Sequence, residues 1–271
     1  MDLGLQNKVI LITGGSGGIG RATALSFNKE GGARIAITYN SNQDAAHKTI
    51  EEIQASGNEG MAVPLDLGDL SGIEKAINSI VKYWGTIDVL VNNAVRWMPP
   101  AYRDKGFEEI PINVWADIIT TNLIGTVKVT QSVVYFMKCN RWGRIVTVSS
   151  DLAFESFKGS GPYSALKSSL IGLNANLVEE LSPYGILSNL VLPSLTLTEG
   201  IMKTLPLDLL KKVEKAYPTK HITTPEDVAS VICFLCSAAN KQVNGELIKV
   251  TGYVSLALAN YFFNQKEKEF A

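Results

Sequence analysis

The sequence predicts an α/β fold, a doubly wound single domain in which a seven-stranded parallel sheet is flanked by helices. Three observations carry this reading. Short β-branched runs alternate with longer helix-like segments in βαβ order. Several runs, such as Val9-Ile10-Leu11-Ile12, are apolar throughout, as strands buried on both faces must be. Helix starts are marked locally. Thr224-Pro225-Glu226-Asp227 supplies an N-cap, a proline in the first turn and two acids against the helix dipole.

In chain order the strands are expected at 9–13, 34–38, 60–65, 89–92, 143–149, 186–191 and 246–250. Helices are expected at 19–30, 43–56, 70–83, 113–138, 163–182 and 225–237. Two segments break the alternation. Residues 95–111 hold three prolines with bulky Trp97, Met98 and Phe107, and residues 195–217 have room for one or two helices of their own. Loops after the C-terminal ends of parallel strands are where ligands bind in this architecture, so both are candidate substrate walls. The tail 260–271 pairs Tyr261, Phe262 and Phe263 with a charged end, a pattern suited to packing on a neighbouring subunit or to fraying.

Bulk composition narrows the function classes. The 271 residues are 46% hydrophobic and 19% charged, as in a globular chain. Lys plus Arg is 25 and Asp plus Glu is 26, so no net field draws nucleic acid or an anionic membrane, and a small-molecule ligand is expected. No apolar stretch reaches the roughly 18 residues that span a bilayer, and the first residues do not read as a signal peptide. A soluble, cytoplasmic protein is the expectation. Cys233 and Cys236 form a C-x-x-C, but the surrounding segment reads as an apolar helix and no second ligand pair accompanies it. Two small core residues are expected there, and no metal.

Thr13-Gly14-Gly15-Ser16-Gly17-Gly18-Ile19-Gly20 follows the first strand and opens the first helix. Glycines permit a tight turn there and let backbone N–H groups approach a pyrophosphate at the helix N-terminus. The spacing of Gly14, Gly18 and Gly20 is G-x-x-x-G-x-G. Further blocks follow in order: Asp66-Leu67, Asn92-Asn93-Ala94, Asn122, Ser150, Tyr163-x-x-x-Lys167 and Pro193…Thr198. Over about residues 8–252 the combined pattern resembles the short-chain dehydrogenases/reductases, in the subgroup of about 250 residues that includes the β-ketoacyl-carrier-protein reductases.

The resemblance implies a Rossmann-type fold in which residues 1–271 form one dinucleotide-binding and catalytic domain. It also implies roles. Tyr163 is the general acid/base, and Ser150, thirteen residues before it, holds the carbonyl oxygen. Lys167, on the same helical face as Tyr163, bonds the nicotinamide ribose and lowers the phenol's pKa from its usual value of about 10. Asn122 helps place Lys167. Ser149 is a weaker candidate, and Ser164 and Ser168 read as helix surface or packing. On the cofactor side the resemblance points to Gly14, Ser16, Gly17, Gly18 and Ile19 at the turn, Asp66 and Leu67 at the adenine and Asn93 at its ribose. Pro193, Thr196 and Thr198 fall at the carboxamide.

An acid at the end of the second strand would bind a ribose 2′-OH and repel a 2′-phosphate. Here that strand runs into Tyr39-Asn40-Ser41-Asn42, with no carboxylate before Asp44. NADP(H) is therefore expected over NAD(H), with Tyr39, Asn40 and Ser41 beside the phosphate.

Three places depart from the family pattern. Val95 and Ser194 stand where the family has glycine, and Val250-Thr251-Gly252-Tyr253 stands for its Val-Asp-Gly-Gly. These favour a specialised biosynthetic ketoreductase over a housekeeping role in fatty-acid synthesis. The expected activity is hydride transfer between nicotinamide and a ketone or secondary alcohol. The substrate is a small carbonyl or alcohol, apolar or carrier-bound, and Trp97, Met98, Phe154 and Phe157 are candidates for its pocket. The resemblance further implies a homotetramer or homodimer. The alternatives are an NAD-dependent alcohol dehydrogenase on the same site and a non-catalytic NADP-binding regulatory protein.

Overall fold

The computed structural model describes residues 2–254, so the tail segment 260–271 lies outside the described residues. Seven strands form one parallel sheet: β1 (Val9–Ile12), β2 (Arg34–Tyr39), β3 (Glu59–Pro64), β4 (Val89–Asn92), β5 (Gly143–Val148), β6 (Ile186–Pro193) and β7 (Leu247–Val250). Their spatial order is β3-β2-β1-β4-β5-β6-β7. The order reverses between β1 and β4, which opens a crevice at the C-terminal strand ends.

Strand β1 shows how the apolar runs are used. Val9 and Leu11 face one layer of helices, and Ile10 and Ile12 face the other. The first layer includes α3 (Leu70–Trp84) and α5 (Gly125–Asn140), which contribute Ile73, Ile77, Ile80, Val129 and Val133. The second includes α1 (Gly18–Glu30), α2 (Gln43–Ala55) and α9 (Pro225–Cys236), with Phe27, Ile53, Val228 and Ile232. All four residues of β1 are fully buried, and each such aliphatic side chain stabilises the fold by roughly 1.5–3 kcal/mol.

The remaining helices are α4 (Ile112–Ile119), α6 (Gly161–Leu181), α7 (Glu199–Thr204) and α8 (Leu207–Ala216). The segment at 195–217 thus carries two helices. The helix expected at 113–138 is two, separated by a π turn at Thr120–Ile124 that contains Asn122. A single extra residue in a helical run leaves the apolar periodicity nearly intact on either side, which is why the pattern reads as continuous. Cys233 and Cys236 are buried in α9, and burial pushes both thiols up, Cys233 to about 12. They are held as thiols rather than the thiolates that redox chemistry uses. Among the described residues no helix is long and apolar enough to cross a membrane.

Candidate active site

The loop between β1 and α1 is shaped by its glycines. Gly14 has φ 66° and Gly18 φ 50°, where side chains strain the backbone. A Cβ on Gly20 would run into the carbonyl oxygen of Gly14 and approach Asn93 Nδ2 to 2.5 Å. Asn93 holds this turn from the next strand end, its amide donating to the carbonyls of Thr13 at 3.0 Å and Gly14 at 3.1 Å. Asn93 therefore borders the cleft while its side chain clamps the turn. The clamp is a role that the sequence did not announce.

Asn42, Asp69 and Thr224 cap α2, α3 and α9 with side-chain hydrogen bonds. Helix α1 is different. Its N-cap is Gly17, with no side-chain cap and no acid in the first turn. Its first N–H groups and the positive end of its dipole stay available to an anion. A Cβ on Gly17 would meet nothing within 4 Å, so the turn opens onto free space. These features fit the pyrophosphate of a dinucleotide.

That space is a cleft of about 1360 Å³ at the crossover between β1 and β4. Every cofactor-side residue named from the sequence lines it: Gly14, Ser16, Gly17, Gly18, Ile19, Tyr39, Asn40, Ser41, Asp66, Leu67, Asn93, Tyr163, Lys167, Pro193, Thr196 and Thr198. Arg21, Asp44 and Lys48 join the end near Tyr39. Arg21 is already paired with Glu52 at 2.5 Å. Asp66 accepts from Gly68 N at 2.8 Å and lies 3.6 Å from Arg96. Thr198 caps α7, and its methyl lies 3.2 Å from where a Gly18 Cβ would stand. The segment after β6 therefore closes over the glycine turn.

At the opposite end, β5 and α6 bring Ser150, Tyr163 and Lys167 to one wall. Pro162 in the first turn of α6 places Tyr163 one residue later, and Lys167 follows one helical turn on. Both side chains are buried, at 5% and 4% exposed. Lys167 Nζ donates to Val148 O at 2.7 Å and sits 5.4 Å from the centre of the Tyr163 ring. Burial holds the Lys167 ammonium down to about 7. Burial first, and the charge of Asp151 second, push the Tyr163 phenol well above its usual value. The expected depression of Tyr163 by Lys167 is thus outweighed. Desolvation disfavours the charged form of each group, and here it acts on both.

Ser150 is also differently engaged than expected. Its hydroxyl donates to Asp151 Oδ1 at 3.0 Å and its oxygen accepts from Leu152 N at 3.2 Å. Asp151 is 2% exposed and was not singled out in the sequence. Its only signal in the sequence is a carboxylate directly after Ser150. Ser149 donates to Lys167 O, Ser164 to Ser160 Oγ and Ser168 to Ala153 O, so these three hydroxyls serve the scaffold.

Asn122 does not line the cleft. Its Oδ1 accepts from Arg96 N at 2.6 Å, and its Nδ2 donates to Arg96 O at 3.1 Å and Ile118 O at 2.9 Å. Asn122 thereby anchors the start of the 95–111 loop. Just beyond this anchor, Trp97 stacks on Tyr163 with centroids 4.6 Å apart and 10° between planes. Trp97, Met98 and Phe157 line the cleft, as does Val95. Phe154 is absent from that wall and lies under Lys249 instead. Ser194 pairs with the buried Tyr217 hydroxyl at 3.2 Å. Among the described residues no group of three His, Cys, Asp or Glu side chains is arranged to hold a metal ion.

A dinucleotide-sized cleft with a buried tyrosine–lysine pair at one end defines an oxidoreductase that works between CH–OH and C=O with a nicotinamide cofactor. Residues 8–206 match the family model described as short chain dehydrogenase, and the chain belongs to that family. It is 35% identical over 252 residues to a 3-oxoacyl-[acyl-carrier-protein] reductase of Aquifex aeolicus, covering 93% of this chain and 99% of that one. Among solved structures it resembles a 7α-hydroxysteroid dehydrogenase complexed with NADH and 7-oxo glycochenodeoxycholic acid. The TM-score is 0.86 at 26% identity, over 95% of this chain and 98% of that one. A short-chain dehydrogenase of Burkholderia cenocepacia in complex with NADP gives a TM-score of 0.80 at 28% identity, over 92% and 98% of the two chains.

Proposed function

We propose that this chain is an NADP(H)-dependent ketoreductase in which Tyr163 delivers the proton. The observation that carries the reading is the convergence of Tyr163, Lys167 and Ser150 at one end of the cleft that begins at the uncapped glycine turn. The bound cofactor supplies the hydride. The protein's own groups handle the charge that then develops on the substrate oxygen. Tyr163, kept protonated by burial, is the donor. Lys167, poised near neutrality, gains or loses a proton readily at working pH and supports the phenolate left behind. Ser150 is the second donor to that oxygen, its proton divided between Asp151 and the substrate. Asn122 acts at a distance by fixing the loop that carries Trp97.

The cofactor preference rests on the far end of the cleft. No carboxylate precedes Asp44 after β2, and Arg21 and Lys48 border the same end. Residues 1–271 are read as one domain, with 95–111 and 195–217 as substrate walls.

The test is a panel of ketones with NADPH and, separately, NADH, followed by nicotinamide absorbance, with Tyr163→Phe as the control. Turnover is expected to vanish in that variant, to below about one hundredth of wild type for a lost general acid. NADPH binding stays within a few-fold. Retained turnover defeats the assignment of Tyr163. A large preference for NADH moves the chain to the NAD-dependent reading.

A further inference from the structure

Trp97 occupies an unusual position for a large aromatic side chain. One face of its indole is stacked on Tyr163, the proposed proton donor, yet 54% of the residue remains exposed. Trp97 is also one of the residues that line the cleft. Its neighbours do not move freely. Arg96 is held through both backbone polar atoms by Asn122, and Met98 is 4% exposed among Ile118, Tyr163 and Leu166. Arg103 Nε adds a bond to Met98 O at 3.2 Å. A fixed, half-covered indole beside a reacting group is a preorganised platform, and little ordering is required of it when a ligand arrives.

Resting on the ketoreductase reading, we infer that Trp97 selects the substrate. The enzyme favours ketones carrying a planar aromatic ring a few bonds from the carbonyl over ketones whose remote group is saturated. The spacing follows from the stack. A carbonyl at the Tyr163 hydroxyl lies beside the lower ring of the pair. A ring packed edge-on against the exposed rim of the indole, one stacking step of 4.6 Å above the Tyr163 ring, needs a linker of only a few bonds. Leu152 and Phe157 border the same cleft with apolar surface, and of these three side chains Trp97 is the one stacked on Tyr163. A saturated ring of equal size gains the apolar contact without the stacking, so the preference reads planarity rather than bulk.

The experiment compares kcat/KM for 4-phenyl-2-butanone, 4-cyclohexyl-2-butanone and 2-butanone with NADPH in wild type, Trp97→Leu and Trp97→Phe. Wild type is expected to prefer the phenyl over the cyclohexyl ketone by about three- to tenfold, the range that aromatic pairing confers. Trp97→Leu removes that preference, read as the phenyl-to-cyclohexyl ratio within each variant whatever its absolute rate, while Trp97→Phe retains part of it. Equal rates on the two ring ketones in wild type overturn the inference, as does discrimination that survives Trp97→Leu. So does a Trp97→Leu enzyme that is faster on all three, which would make the indole an obstruction. These outcomes leave the ketoreductase reading standing. A wild-type enzyme that reduces none of the three ketones overturns the inference, while the ketoreductase reading is decided separately by the wider panel and the Tyr163→Phe control.

Discussion

Replacing Lys167 by Met removes a charge that the fold accommodates at a cost, and the signature is a change in how stability depends on pH. Lys167 is 4% exposed, and burial holds its ammonium down to about 7. A lysine in an unfolded chain titrates at about 10.4. Below pH 7 both states carry the proton, and the folded state bears the full desolvation penalty. Between about pH 7 and about 10.4 the unfolded chain binds more protons than the folded one, so stability rises with pH across that window and levels off above it. The difference of about 3.4 units (10.4 − 7), at 1.36 kcal/mol each, sets a ceiling on the order of 5 kcal/mol. At roughly 2–4 °C per kcal/mol for a chain of this size, that is a shift on the order of ten degrees in Tm. The lost Nζ bond to Val148 O costs Met a roughly constant 1 kcal/mol or so. Thermal unfolding of the cofactor-free wild type and Lys167→Met from pH 6 to pH 10 measures the effect. The variant is expected to gain most at pH 6, with its advantage shrinking toward pH 10. Parallel curves would show that Lys167 is not desolvated as its burial implies.

Three further outcomes follow from the same geometry. Asp151→Asn keeps a hydrogen-bond acceptor for Ser150 but removes the negative charge that helps hold the Tyr163 phenol up, so the alkaline limb of the kcat/KM profile for reduction should move to lower pH. An unmoved limb would show that burial alone sets Tyr163. Gly20→Ala drives a Cβ against the Gly14 carbonyl and the Asn93 clamp, with an expected loss of about 1–3 kcal/mol by denaturant titration and weakened cofactor binding. Tyr253 has φ 74° and is 91% exposed, so Tyr253→Gly relieves roughly 1–2 kcal/mol of left-handed strain against roughly 0.4–1 of added chain entropy. A net gain of about 0.5–1 kcal/mol in unfolding free energy is expected, and a loss would mean that the ring makes contacts that outweigh the strain.

All seven strands and the regular helices were legible because their signals are local. β-branched runs without polar interruption have few alternatives to a doubly covered sheet, and Thr224 with Asp227 caps α9 as its spacing indicates. The residues expected to hold a cofactor stand out through the spacing of recognisable blocks, and each of them lines the cleft. What escaped depends on non-local geometry. The stacking of Trp97 on Tyr163 joins residues 66 positions apart across an irregular loop. The pull of Lys167 on Tyr163 was argued from charge alone, whereas the depth at which both are buried decides the outcome, and depth is a property of the packed whole. The engagement of Ser150 by Asp151 lay in plain view as adjacent letters. No local rule says that a carboxylate turns inward there.

The π turn at Thr120–Ile124 also sets a phase. Each residue of an α-helix advances the side-chain direction by about 100°, so one residue more or less turns everything after it onto a different face. Before the turn, α4 must bury Val114 and Ile118 in the cluster that holds Met98, Tyr163 and Leu166. After it, α5 must present Gly125 to the carbonyl of Leu67, where any Cβ would collide. A regular helix of the same composition satisfies one of these demands and not the other. The turn works as a vernier between two packing surfaces, one that steers the Trp97 loop and one that seats α5 beside Leu67 in the cleft wall. Single-residue deletions in this stretch are therefore expected to be harsher than most substitutions in it, because its length is what keeps the two ends of the cleft in step.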